Sequence, residues 1–177
     1  MKFKPLHFFS RTVFVFLLAC QSQAATISYS TISECKEQVD NDNAAFSELH
    51  CKPVGTYQLD IKQQSPQYFT ITLSTDGKSA SSELESITQE LPMEPGKVIE
   101  WHSNGKQPKF MVFRLKAEVE GSAMAEYLTL SLVTPTRICP LASIATAKNP
   151  NANQKARDLI AEKFSAVSDC PAEIIRL

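Results

Sequence analysis

The side chains with the widest chemical range are concentrated in one run of seven residues, EWHSNGK (100–106), which contains the chain's only tryptophan. An aromatic side chain beside polar groups is typical of recognition surfaces, because such anchors supply much of the binding energy at interfaces. The run therefore predicts a binding loop with the contact residues Trp101, His102, Asn104 and Lys106. A purely structural interpretation places Trp101 in the core and leaves His102 facing solvent.

Basic side chains continue into the next segment. Lys109 precedes Arg114 and Lys116, and a strand would place the last two on one face. Such a strip suits an anionic partner, either an acidic protein surface or a cell-wall polymer, although a solvated sheet face also explains it. Arg114 is therefore added to the predicted binding residues.

Catalytic chemistry has few candidates in this sequence. After residue 24 the chain contains only two histidines, His50 and His102, and His50 adjoins a cysteine expected to form a disulfide. The sequence contains no GxSxG nucleophile motif, no paired metal-ligand spacing and no glycine-rich phosphate loop. We therefore expect a protein that is not an enzyme and has no metal or cofactor. A small periplasmic hydrolase using His102 with a serine is an alternative.

The N-terminal region has the layout of a secretory signal peptide. Three basic residues flank the start of an apolar run over 12–19, which is too short to span a bilayer. Small residues at Ser22 and Ala24 predict cleavage after Ala24. Residues 1–24 are thus expected to be a leader, and the protein is expected to be periplasmic or secreted.

The same region contains a second export signal. Leu17-Leu18-Ala19-Cys20 resembles a bacterial lipobox, in which the cysteine is acylated and becomes the first residue of the mature chain. Cleavage after Ala24 is favoured, because residues 22–24 form the better signal. The alternative is an outer-membrane lipoprotein anchored through Cys20, with a structural role.

Cysteine number predicts the covalent framework. Either fate of Cys20 leaves four cysteines, an even number that indicates two disulfides in an oxidising compartment. Four cysteines allow three pairings, of which the pairing of sequence neighbours is favoured. The expected bonds are Cys35–Cys51 and Cys139–Cys170.

Composition limits the classes of partner. A leader ending at Ala24 removes three of the 18 basic residues and none of the 19 acidic residues, which leaves a formal net charge of −4. This balance argues against nucleic acid, whose phosphates require concentrated positive charge. No later apolar stretch is long enough for a membrane span. Residues 25–177 are expected to form a single domain.

Alternation of apolar and polar residues predicts strands through the middle of the chain. The clearest segments are 57–61, 69–73, 98–103, 111–119 and 128–132. Asp76-Gly77 and Asn104-Gly105 predict hairpin turns. Residues 79–91 are predicted as a returning strand, although they also show helical spacing. Residues 134–143 contain two prolines and are predicted as a crossover loop rather than a strand.

Helical spacing occurs at both ends of the domain. An apolar stripe from Ala156 to Val167 predicts an amphipathic helix over about 152–167, with Asn151 and Gln154 as a cap pair. Residues 31–49 predict a shorter helical segment that begins with a Thr31–Glu34 capping box.

Together these elements predict an α+β fold. Its sheet is an antiparallel β-meander of five or six strands, and its helices pack on one face of the sheet. Two disulfides stabilise the domain. The expected function is non-catalytic binding of an envelope protein or a cell-wall polymer, as an inhibitor, an immunity-type protein or an assembly factor.

Overall fold

The computed structural model describes residues 25–39, 47–65, 68–82, 84, 93–119 and 123–177. The predicted leader, including Cys20, lies outside these residues. The described strands are β1 Thr26–Thr31, β2 Lys36–Val39, β3 Ser47–Val54, β4 Tyr57–Ser65, β5 Tyr68–Thr75, β6 Lys78–Ser82, β7 Met93–Asn104, β8 Gln107–Val119, β9 Ala123–Val133, β10 Arg137–Ala145 and β11 Ile175–Arg176. A 3₁₀ turn spans Ile32–Glu34, and helix α1 (Ala152–Leu159) continues as a π-helical stretch over Ile160–Phe164.

All of these strands belong to one mixed sheet. Their order is β1-β7-β8-β9-β10-β6-β5-β4-β3-β2, with β11 alongside β10. The strands from β2 to β6 form one antiparallel meander and those from β7 to β10 form another, and parallel pairing of β6 with β10 joins the two. The end strands β1 and β2 are linked by only four residues, 32–35. The sheet is therefore curled, and the Cys35–Cys51 disulfide ties this link to β3.

The inner face of the curled sheet contains the larger core. Apolar side chains from both meanders meet there because strand alternation points them to the same side. Phe69 of β5 packs edge to face against Phe113 of β8, with ring centroids 6.4 Å apart. The fully buried members of this core include Leu59, Ile71, Leu73, Ile99, Trp101, Met111, Leu115 and Ile138.

The outer face of β8, β9 and β10 contains a second core, which the helix covers. Ala156, Ile160 and Phe164 contact a sheet surface formed by Phe110, Val112, Leu128, Leu130, Leu132, Leu141, Ala142 and Ile144. A Cys139–Cys170 disulfide ties β10 to the chain beyond the helix. Both predicted disulfide pairings are confirmed. Neither helical segment within the described ranges is long and apolar enough to cross a membrane.

The predicted meander of five or six strands with helices on one face is wrong. The described chain forms eleven strands in a mixed sheet and one short helix. Residues 134–143 account for part of the error, because β10 lies in the middle of the sheet despite Pro140. The strand register shifts directly after Pro140, and such an irregularity accommodates a residue that cannot donate a ladder hydrogen bond.

The predicted N-terminal helix is also wrong. Only Ile32–Glu34 is helical, and Thr31 makes no side-chain cap bond. The chain then enters β2, and residues 47–49 belong to β3, while residues 40–46 lie outside the described ranges. Pairing with β4 and the disulfide to Cys51 outweigh the weak helical spacing of this segment.

Several local predictions are confirmed. Both residues of the Asp76-Gly77 turn have positive φ, at 40° and 75°. The hairpin predicted at Asn104-Gly105 is present, but Asn104 is the last residue of β7 and the turn to β8 is formed by Gly105 and Lys106. The strand predicted from residue 79 is present as β6, although residues 83 and 85–91 lie outside the described ranges. The C-terminal helix is present through Phe164, but Asn151 makes no side-chain cap bond, and Gln154 instead donates to Asp158.

Candidate functional site: the lateral face

The outer side of β1 and β7 lies beside the helix without being covered by it. We call this surface the lateral face and define it by Ile27, Tyr29, Val98, Glu100 and His102. In the antiparallel register Ile27 lies opposite His102 and Tyr29 opposite Glu100. The side chains of Ile27, Tyr29 and Val98 are 47%, 59% and 43% exposed, respectively. The lateral face therefore combines exposed apolar groups with a polar cluster.

The polar cluster is centred on Glu100. Arg157 of the helix reaches across and donates from Nε to Oε1 at 3.0 Å and from Nη2 to Oε2 at 2.7 Å. The same Oε1 lies 2.6 Å from His102 Nε2, and Arg157 Nη2 lies 3.4 Å from the Tyr29 hydroxyl. One carboxylate thus joins β7 to the helix and, through Arg157, to β1.

The charge state of the cluster follows from these contacts. Burial raises the pKa of Glu100, but hydrogen bonds from Arg157 and His102 outweigh it, and the net pKa is lowered. The hydrogen bond to Glu100 likewise raises the pKa of Arg157. Near neutral pH the cluster is therefore an ion pair that fixes one imidazole nitrogen, and it anchors the helix beside the lateral face.

A pocket of about 420 Å³ opens between one end of the lateral face and the helix. We call it the lateral pocket. Its lining includes Ile27, His102, Phe110, Arg157 and Ile160. A second depression of about 660 Å³, lined by Tyr29, Glu100, Arg114 and Arg157, lies on the other side of the Glu100–Arg157 pair. Arg157 therefore lines both cavities.

The predicted binding residues are distributed among several places. Trp101 is fully buried in the inner core, where its indole N–H donates to Ser30 Oγ at 2.9 Å. His102 does not face solvent as expected from the structural interpretation of its run, because it is only 8% exposed and contacts Glu100. Asn104 lines the lateral pocket with His102.

Lys106 and Arg114 lie apart from the other predicted binding residues. Lys106 is exposed at the β7–β8 turn, outside the lateral pocket. Arg114 forms an ion pair with Glu126 on β9, and its Nη2 lies 3.4 Å from Asn153 Oδ1. The structure therefore brings together only His102 and Asn104 of the predicted set, and the binding roles of all five residues stay predictions.

Within the described ranges no hydrogen bond joins His102 to a serine side chain. Ser103 and Ser165 line the lateral pocket together with His102. Among the residues that the structure describes, the only side-chain hydrogen-bond partner of the imidazole is Glu100. The hydrolase using His102 stays an alternative prediction.

A separate cluster of possible metal ligands lies on β3 and β4. The ligand atoms of Glu48, His50 and Asp60 lie within 4.8 Å of one another. His50 Nδ1 lies 2.8 Å from Asp60, its Nε2 lies 3.2 Å from Gln38, and Glu48 pairs with Lys62. These contacts satisfy the polar groups as a cross-strand network without an ion.

Sequence reasoning missed Ile27, Tyr29 and Arg157. The alternation of Ile27 and Tyr29 with serines could have indicated β1, but the stretch is short and follows the leader directly. Arg157 and Glu100 are 57 residues apart, and no local pattern connects them.

Comparison with known proteins gives no match to this chain among family models, curated proteins or solved structures. Any statement about function therefore depends on the geometry of the lateral face and on the sequence signals.

Proposed function

We propose that the chain is an exported envelope protein that binds another protein through the lateral face, without catalysis. The observation that supports this proposal is that β1 is an edge strand of the sheet. Within the described ranges β1 pairs with β7 alone and stands at one end of the strand order. An edge strand presents unpaired N–H and C=O groups, to which an extended segment of a partner can add as a further strand.

The side chains beside this edge suit a protein partner. Ile27 and Tyr29 alternate along β1 on the outer face, next to exposed Val98. The outward side chains of an added strand would lie beside Ile27 and Tyr29, while its backbone completed the hydrogen bonds of β1. Tyrosine is well suited to such a contact, because it combines a large apolar ring with a hydroxyl group.

The sequence signals support export to an oxidising compartment. The apolar leader ends at the predicted cleavage site after Ala24, which leaves Ala25 directly before β1. Two disulfides are typical of proteins that fold outside the reducing cytoplasm. One disulfide links residues 32–35 to β3, and the other links β10 to the segment after the helix. Such cross-links favour a preformed binding surface.

Site-specific photocrosslinking in intact cells tests the proposal. A photoreactive amino acid at Tyr29 should capture one discrete envelope protein. The same group at Met124, an exposed apolar residue of the outer face on β9, should not. Equal capture from both positions, or capture of cell-wall polymer alone at Tyr29, would contradict the proposal.

Substitution provides an independent test. Tyr29→Lys should reduce binding of the captured partner at least tenfold, because it places a charge within the buried contact. Met124→Lys is the matched control and should bind normally. Unchanged thermal unfolding of both variants would confirm that the fold is intact, and equal binding by both would refute the proposed interface.

A further inference from the structure

The lateral pocket is lined by apolar and basic side chains. Its apolar surface comes from Ile27, Phe110, Ile160 and Ala161. Its charged groups are all basic, namely Lys109 and Arg157, with His102 as the titratable neighbour. Among the residues that the structure describes, no carboxylate lines it, although residues 25–177 contain more acidic than basic residues. The volume of about 420 Å³ lies within the range of small-molecule sites, about 300 to 1,000 Å³.

The basic groups retain hydrogen-bonding capacity. Lys109 Nζ donates to the carbonyl oxygen of Ser165 at 2.6 Å and has two further protons to donate. Arg157 contacts Glu100 and Tyr29 through Nε and Nη2, and within the described ranges its Nη1 makes no hydrogen bond. His102 is more than nine-tenths buried, and in the described part of the chain its Nδ1 makes no hydrogen bond.

We propose that the lateral pocket binds a small organic acid that has one carboxylate and an apolar body. The carboxylate would accept hydrogen bonds from Lys109 and Arg157 near His102, and the body would contact Phe110 and Ile160. Charge complementarity carries the choice. Arg157 is already paired with Glu100, but within the described residues Lys109 has no carboxylate partner, and a neutral or cationic ligand of the same shape would leave Lys109 without a counter-charge. This site adjoins the lateral face and shares Ile27 and His102 with it, but the ligand assignment does not depend on the proposed protein partner.

Three probes, each with a chain of eight carbon atoms but with a different charge, test the choice of ligand. The protein is produced with its own leader, purified under oxidising conditions and titrated by calorimetry with octanoate, 1-octanol and octyltrimethylammonium. Octanoate should bind at least tenfold more tightly than either of the others. Equal binding of the three, or no binding of octanoate, would overturn the proposal.

Histidine NMR locates the bound probe with an internal control. Once the leader is removed, the chain has only two histidines, and His50 lies on β3 away from the pocket. Octanoate should shift the ring signals of His102 and leave those of His50 unchanged. A shift of both signals, or of His50 alone, would place the ligand elsewhere.

Two lysines of one hairpin provide matched variants. Lys109→Gln should weaken octanoate binding about tenfold, because one charge-assisted hydrogen bond is lost. Lys106→Gln removes an exposed charge outside the pocket and should leave binding unchanged. Ala161→Phe, which adds bulk to the lining, should reduce binding while thermal unfolding shows an intact fold. Equal effects of the two lysine variants would refute the assignment.

Discussion

At the scale of single residues, Glu100 has the widest structural influence. Its two oxygens contact Arg157 and His102, and Arg157 also reaches Tyr29. A carboxylate with so little exposure is tolerated only when it is paired. Loss of its charge leaves two donors facing a weaker acceptor, and the end of the helix is then held less firmly beside β7.

Glu100→Gln should therefore destabilise the protein by about 2 kcal/mol at pH 7. Urea denaturation of the variant and of the wild type measures the difference. Glu118→Gln, on the same outer face and exposed, is the control and should change stability by less than about 0.5 kcal/mol. Equal effects would show that the cluster contributes no specific stability.

The stabilisation of the fold by Glu100 should be lost at low pH. Because its pKa is lower in the folded chain than its usual value of 4.5, the stabilisation is present above that value. It is lost as the pH falls through the folded pKa. The stability gap between wild type and Glu100→Gln should thus narrow below about pH 4.5. A gap of constant size down to pH 3 would contradict this.

Only part of the cluster could be anticipated from sequence. The residue types of the run at 100–106 indicate a binding site, and His102 of this run lines the lateral pocket. Its essential partner was not predictable, because Arg157 becomes a neighbour only through packing of the helix on the outer face. Long-range ion pairs of this kind leave no periodic signal in the sequence.

At the scale of elements, two turns contact each other across the sheet. Gly55, between β3 and β4, has a φ of 62° and approaches the carbonyl oxygen of Lys106 in the β7–β8 turn. Gln107 also donates to Thr56 Oγ1 at 2.6 Å. Only a residue without a Cβ allows this approach, so Gly55 sets how closely the two meanders meet.

Gly55→Ala should destabilise the protein by about 3 kcal/mol, through backbone strain and a clash with backbone. Gly77→Ala is the matched control. Gly77 also has positive φ, at 75°, but an added Cβ would meet no atom within 4 Å. It should cost about 1 kcal/mol, measured by chemical denaturation. Equal costs would mean that the contact with Lys106 is not required.

The sequence predicts the strands that have one solvent-exposed face, but it does not predict the strand that is buried on both faces. Strand β8 was predicted because buried Met111, Phe113 and Leu115 alternate with partly polar positions. Strand β10 was missed, because it is buried along most of its length and contains Pro140, so that neither alternation nor proline chemistry indicated a strand. The order of strands depends on the β6–β10 pairing, which local sequence does not encode.

At the scale of the whole molecule, the disulfides should contribute unequally. They close loops with sequence separations of 31 and 16 residues. Chain entropy predicts stabilisation of about 4 and 3 kcal/mol, respectively. The double variant Cys139→Ala/Cys170→Ala should therefore lose slightly more stability than Cys35→Ala/Cys51→Ala in urea. If either pair can be removed without loss, its loop is already ordered in the unfolded chain.

The mature protein should begin at Ala25. Intact mass measurement of the exported chain should match residues 25–177 with both disulfides oxidised and no lipid. A heavier species that starts at an acylated Cys20 would instead establish the lipoprotein alternative. Replacement by Cys20→Ser distinguishes the two, since it should leave processing after Ala24 unchanged.

The strand order also determines when the fold can be completed. Among the described strands β1 and β2 are the first to be synthesised, yet β1 pairs with β7, about 70 residues further along the chain. Strand β1 therefore cannot take its place in the sheet until residues 98–103 have been synthesised. Completion of the sheet is therefore a late, long-range event and is expected to be slow. During that interval, the edge to which we assign partner binding is an unpaired strand open to premature contacts.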